Sequence, residues 1–150
     1  VDILIELAKN KPDCSFVLVG IHQSVIPSLG EIPSNLKLYP FLSQNEFKKY
    51  LVESEFIIQL SISEGFPNAL CEGMLCGCIP IGTHVGGIPT IIGDSGFLFK
   101  SSNINLIKSQ FDEIANLSTA EKLTLSSIAK NRIIENFSLE RRAKKLTAQL

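Results

Sequence analysis

Short apolar strands alternating with amphipathic helices predict an α/β fold for this chain, a Rossmann-like parallel sheet covered by helices. Three observations carry that reading. The strand candidates are continuous apolar runs, as strands buried on both faces are. Segments of helical period separate them. The composition is globular, with 45% of the 150 residues hydrophobic and 19% charged, which suits one ordinary domain with a sizeable core.

The elements follow in order. Ile3, Leu4, Leu7 and Ala8 have helical spacing, and Lys11-Pro12-Asp13 ends that helix. Residues 15–20 (SFVLVG) form a short β-rich run closed by glycine, hence a buried strand. Residues 21–35 hold two prolines and a glycine and read as a loop with room for a helical turn. Residues 36–39 are a second strand. Ser43 and Glu46 have the spacing of a capping box, and Phe47, Tyr50 and Leu51 form the apolar face of the helix it opens. Residues 55–60 (EFIIQL) are a third strand. Pro67 opens a helix that stops at Gly77, and residues 78–82 (CIPIG) are a fourth strand. Pro80 is awkward in a central strand unless its missing N–H faces a gap or a bulge. Residues 83–94, rich in glycine, read as a tight loop, and residues 96–99 as a fifth strand. The rest is helical: Ile104, Ile107, Phe111 and Ile114 make one stripe, Ser118 and Glu121 open a helix to about Asn136, and Ser138 opens a last one.

Bulk properties narrow the function classes. A net charge of −1 gives no electrostatic reason to expect nucleic acid. No apolar run approaches the roughly 20 residues of a membrane span. The N-terminal helix reads as already under way, so the chain is expected to be cut from something longer. Cys14, Cys71, Cys76 and Cys78 form no Cys-x-x-Cys pair, and His22 and His84 lie far from them in sequence, so no metal site is expected. The cysteines are expected to be buried, reduced and structural, which points to a cytoplasmic protein. His22 reads as an exposed loop residue, and His84 as a loop residue facing the ligand cleft. Arg141, Arg142, Lys144 and Lys145 read as a solvated helix face, or as a peripheral membrane contact useful with a glycolipid acceptor.

The chemistry concentrates in residues 61–80 (SISEGFPNALCEGMLCGCIP). This stretch lies just past the carboxyl end of a strand, where open parallel sheets bind ligands. Pro67 suits the first helical position, because its missing N–H would be unpaired there anyway. The N–H groups of Asn68, Ala69 and Leu70 then have no intrahelical partner and, with the helix dipole, make an anion site. Glu64 precedes the helix, and Glu72 lies five residues beyond Pro67, about 7.5 Å along the axis. Two carboxylates around an anion pocket suit a ligand with phosphate in the middle and hydroxyl-bearing rings at both ends, since carboxylates accept paired hydrogen bonds from vicinal diols. A nucleotide-sugar has that layout. On spacing alone the acids read equally as ordinary solvated residues. Phe66 reads as a ring that stacks on the sugar or one that fills the core beneath the turn. The acids also allow a glycoside hydrolase pair of inverting spacing, but an anion site between them is the wrong design for a neutral glycoside.

Glu64, Gly65, Phe66, Pro67, Glu72, Gly77 and Pro80 together resemble the signature of the retaining glycosyltransferases of family 4, which have the two-domain GT-B architecture. Residues 85–99 (VGGIPTIIGDSGFLF) and 136–146 (NFSLERRAKKL) are similar to the family's following loop and strand and its closing helix. The resemblance implies that residues 1–150 are the donor-binding half of a GT-B enzyme. Transfer from a UDP-, GDP- or ADP-sugar to an acceptor hydroxyl would then retain configuration, without a cofactor or metal. It implies that Glu64 contacts the donor hexose as the catalytic carboxylate. Gly65, Phe66 and Pro67 would lie along the sugar and phosphate, Asn68, Ala69 and Leu70 would offer amides to the diphosphate, Glu72 would bind the ribose, and Phe41 and Leu42 would hold the base. It further implies a first strand, bearing the Arg and Lys that neutralise the diphosphate, and an acceptor-binding domain, both before Val1. The isolated fragment would then be inactive, and residues 15–20 would either face a gap or pair with residues 55–60. Gly73 and Leu75 stand where the family has alanines, and Thr90 where it often has glutamate. A non-catalytic nucleotide-sugar-binding or scaffolding module of the same fold is the alternative.

Overall fold

In the computed structural model, which describes residues 1–137, the chain divides into two compact units, residues 1–49 with 99–117 and residues 50–98 with 118 onward. The expected last helix, with Ser138 and the basic run from Arg141 to Lys145, lies outside the described residues.

The first unit is built on a two-stranded parallel sheet, β1 (Phe16–Val19) with β2 (Leu36–Tyr39), in the register Phe16↔Leu36 to Val19↔Tyr39. Helix α1 (Asp2–Asn10) buries Leu4, Ile5, Leu7 and Ala8, a stripe of the width a core-facing helix needs. It packs on α5 (Ile104–Ala115), which buries Ile107, Phe111 and Ile114 and is N-capped by the Asn103 side chain. Lys108 pairs with Glu6 at 2.8 Å across these helices, and the Phe111 ring lies 5.8 Å from that of Phe16. Asn35 ties the unit together, its amide donating to the carbonyls of Ala8, Lys11 and Cys14 at 2.9–3.0 Å. The helical turn allowed for in residues 21–35 is a 3-10 helix over Gln23–Ser28. Its N-cap is the exposed His22, whose Nδ1 accepts from the Ser24 amide.

The second unit holds a three-stranded sheet in the order β3 (Phe56–Gln59), β4 (Ile79–Thr83), β5 (Phe97–Phe99), with β3 and β4 parallel. Among the described residues no ladder joins residues 16–19 to residues 56–59. Helix α2 (Gln44–Glu53), which begins in the first unit and ends in the second, starts at the expected capping box: Glu46 accepts from the Ser43 amide and hydroxyl. Helix α3 (Asn68–Leu75) covers the sheet with Leu70 and Met74, both fully buried and each stabilising by about 1.5–3 kcal/mol. It ends in a Schellman motif: Gly77, at φ +96°, donates to Met74 O, and Cys78 donates to Gly73 O at 2.9 Å. Helix α6 (Thr119–Phe137) opens with the Ser118–Glu121 box and packs on α3.

Four expectations need correction. Residues 83–94 are not one loop but contain a short helix, α4 (Ile88–Ile92), whose Ile88, Ile91 and Ile92 are wholly buried. Pro67 is the N-cap of α3, with extended ψ of 101°, and the first helical residue is Asn68. Of the four cysteines, Cys78 is buried, Cys14, Cys71 and Cys76 are half-exposed, and none is in a disulfide. Pro80 occupies a central strand without a bulge. Ile79 donates to Glu55 O on the β3 side, so the missing N–H of Pro80 points to β5. There Gly96 makes room: a Cβ on it would come within 2.6 Å of the Pro80 ring.

Candidate functional site

The second unit gathers Glu64, Gly65, Phe66, Pro67, Asn68, Ala69, Leu70 and Glu72 at the carboxyl end of β3 and the start of α3. Gln59 is the last residue of β3, and Ser61 projects to the same side two residues on. Both reach the half-buried Glu64. The Gln59 amide donates to Glu64 Oε2 at 3.3 Å and to Ser61 Oγ at 2.8 Å, and the Ser61 hydroxyl donates to Glu64 Oε2 at 3.1 Å. One carboxylate oxygen is thus fixed, and Oε1 takes neither bond.

The turn that carries Glu64 rests on a second loop. The Thr83 hydroxyl donates to Ser61 O at 2.7 Å, and the Gly87 amide donates to Gly65 O at 2.9 Å. Gly86, at φ +55°, lies so close that a Cβ would collide with the Glu64 carbonyl. A Cβ on Gly87 would strike Gly65 O. Two backbones packed at this distance leave no room for a side chain, and the positive φ independently calls for glycine. Gly86-Gly87 is therefore the wall against which the Glu64 turn is formed.

Helix α3 supplies the other half. The N–H groups of Asn68 and Ala69 have no acceptor among the described residues. The Leu70 N–H is different: it donates to Pro67 O at 3.2 Å, which corrects the expectation that three amides are available. Leu70 is instead a core residue, fully buried. Glu72, half-buried, lies one turn beyond Asn68 on the same face, and its carboxylate makes no hydrogen bond or ion pair among the described residues. The Phe66 ring, half-buried, packs 5.7 Å from that of Phe137 on α6, so it has at least one aromatic neighbour. Behind the helix the Cys78 thiol donates to Leu51 O, and burial first, then the neighbouring Cys76, push its pKa up to about 12. That thiol is inert at neutral pH.

Phe41 and Leu42 belong to the first unit, just after β2. The Phe41 ring is 89% exposed and lies 3.8 Å from where a Cβ on Gly20 would stand. His84 is exposed in the loop after β4. Among the described residues no three His, Cys, Asp or Glu side chains are grouped to hold a metal ion, and no helix is long and apolar enough to cross a membrane.

Sequence reasoning missed Gln59, Thr83, Gly86 and Gly87. A polar residue ending an apolar strand, two before Ser61 and five before Glu64, was the available signal for Gln59.

Comparison with known proteins fits this geometry. Residues 1–132 match the family described as glycosyl transferases group 1. An uncharacterized glycosyltransferase of Methanocaldococcus jannaschii is 31% identical over 124 residues, covering 77% of this chain and 34% of that protein. A glycosyltransferase structure from Rickettsia africae superposes with a TM-score of 0.81 at 21% identity, over 98% of this chain and 42% of that one. Anabaena HepE, solved with UDP and glucose, superposes with a TM-score of 0.77 at 18% identity, over 95% of this chain and 44% of that one. The chain spans 20–34% of the length of the curated relatives it matches. The chain belongs to the group 1 glycosyltransferase family and has its GT-B-type α/β fold.

Proposed function

We propose that the segment from Ser61 to Glu72 binds the nucleotide-sugar donor of a retaining glycosyl transfer, and that residues 1–150 are the donor-binding part of the enzyme. One observation carries the reading. In a single unit and in chain order, Glu64, a carboxylate oriented by two donors, is followed by the amides of Asn68 and Ala69, without an acceptor among the described residues, and by Glu72, without a partner among them. Anionic diphosphate suits the amides at the positive end of α3, and the diols of hexose and ribose suit the flanking carboxylates. That the related fold of HepE was solved with UDP and glucose supports the same ligand class.

In this reading the free Oε1 of Glu64 accepts from a hexose hydroxyl and places the anomeric carbon. The acceptor oxygen bonds to the anomeric carbon as the bond from that carbon to the diphosphate oxygen breaks; the nucleoside diphosphate leaves with the electron pair and takes up the proton of the acceptor hydroxyl. The amides stabilise the charge that develops on it. Residues 61–72 contain no Lys or Arg, so the cations that complete the cradle are proposed to come from outside this stretch. Phe41 and Leu42 are proposed to contact the base, and the acceptor is met by a separate domain.

Calorimetric titration of the full-length protein with UDP-, GDP- and ADP-sugars tests the proposal. Saturable binding of one of them, displaced by its free nucleoside diphosphate, is expected. No binding by any of the three classes would refute it.

A further inference from the structure

Arg132, on α6, is far in sequence from the signature, yet its guanidinium ends on α4. Nε donates to Ile91 O at 2.6 Å, and Nη2 donates to Thr90 O at 2.7 Å. A five-residue helix is too short to persist alone, and its last carbonyls need partners from outside. Here each is accounted for. Pro89 O accepts from the Gly93 amide at 2.8 Å, Thr90 O and Ile91 O accept from Arg132, and Ile92 O accepts from the Ser95 amide and hydroxyl. The positive guanidinium also suits the negative end of the helix. Gly93, at φ +51°, is shaped for this grip: a Cβ there would collide with the Arg132 guanidinium.

The opposite end of α4 is the Gly86-Gly87 wall. Gly87 is the N-cap of α4, and its amide is the donor to Gly65 O. Between the two ends Ile88, Ile91 and Ile92 are completely buried, and Ile88 packs so tightly on β4 that a Cβ on Gly82 would strike it. A short helix held by its core face and gripped at its C-terminus therefore sets where Gly86 and Gly87 stand, and these set the backbone of Glu64 and Gly65.

We propose that Arg132 is a positioning residue for the Glu64–Gly65 turn, acting through α4. The proposal rests on the donor-site reading for its consequence, but its geometry stands apart from it. If the turn meets the hexose while α3 and Glu72 meet the nucleotide, loosening α4 weakens the hold on the sugar and spares the nucleotide. A residue that merely stabilises the fold would affect both alike.

The experiment pairs hydrogen exchange with titration on the full-length protein, comparing wild type with Arg132→Ala, Arg132→Lys and Gly93→Ala. The probes are UDP-glucose, GDP-mannose and ADP-glucose, with the corresponding free diphosphates. Arg132→Ala should speed exchange in the peptides spanning 84–93 and 62–67. It should weaken the nucleotide-sugar that binds wild type about tenfold, within the range seen for coupling through a packed element, with its free diphosphate changed less than about twofold. Arg132→Lys, which keeps one donor to the carbonyls, should fall between. Gly93→Ala, which drives the arginine off its carbonyls and at φ +51° also strains the backbone, should weaken the sugar nucleotide at least as much; Arg132→Lys serves if the alanine variant does not fold. Faster exchange confined to 88–94, or equal weakening of sugar nucleotide and free nucleotide, would overturn the proposal. If wild type binds none of the probes the donor reading fails, and the exchange at 62–67 still decides whether Arg132 holds the turn.

Discussion

Replacing Gly73 by alanine sets two effects against each other. Gly73 lies inside α3, where alanine is favoured over glycine by about 0.8–1 kcal/mol in helix propensity. The structure opposes that gain. A Cβ at this position would lie 2.5 Å from Ile57 Cδ1 and 2.9 Å from both its Cβ and Cγ2. Rotation about χ2 moves the Cδ1 end and relieves one contact; Cβ is fixed by the strand and Cγ2 moves only if the β-branched side chain changes χ1, so α3 must lift from β3. Overpacking of this kind costs about 1–3 kcal/mol. The net expectation is a loss of about 1 kcal/mol, read by urea denaturation followed by far-UV circular dichroism. Ile57→Val removes the nearest atom. Alone it should cost about 0.5–1.5 kcal/mol; combined with Gly73→Ala it should cost less, with a coupling of about 0.5–1 kcal/mol. Stability of Gly73→Ala at or above wild type would refute the claim that this glycine exists for the close approach of α3 to β3.

Gly86→Ala should be more severe, because the atoms its Cβ would meet are all backbone and the φ of +55° is strained for alanine; about 2–4 kcal/mol of stability and the nucleotide-sugar affinity should be lost together, and a variant that melts and binds like wild type would contradict the wall. Cys78, buried and with its pKa raised to about 12, should resist a thiol reagent at pH 8 in the native protein while Cys76 labels; equal labelling of both would contradict its burial. Glu121 accepts from the Ser118 amide and hydroxyl, which lower its pKa. A carboxylate depressed on folding adds stability that is complete above its unfolded pKa and is lost as pH falls through the depressed one. Glu121→Gln should therefore reduce the thermal stability at neutral pH and flatten the loss on acidification; an unchanged acid limb would contradict the box.

The strands and long helices were legible because each rests on one local signal: an apolar run, a stripe, or a cap at fixed spacing. The Ser43–Glu46 and Ser118–Glu121 spacings both prove to be capping boxes. Helix α4 did not, because Gly86-Gly87 and Pro89 punctuate it as a loop; the signal was Ile88, Ile91 and Ile92 at helical spacing with proline in the first turn. Gly73 stood out in the sequence as a departure from the family's alanine, since only the packed structure shows Ile57 filling the space. The site acids were legible from their place after a strand and beside a helix start. The grip of Arg132 was not, because it joins residues 41 and 42 positions apart, and no local pattern records that contact.

The central claim is that one unit holds a nucleotide-sugar between Glu64 and Glu72. It is tested most directly by titrating the donor and its free nucleoside diphosphate into the full-length protein bearing Glu72→Ala. Loss of hydrogen bonds from hydroxyls to a charged acceptor, worth about 1.5–3 kcal/mol, predicts at least a tenfold weakening of both ligands; unchanged affinity would contradict the account.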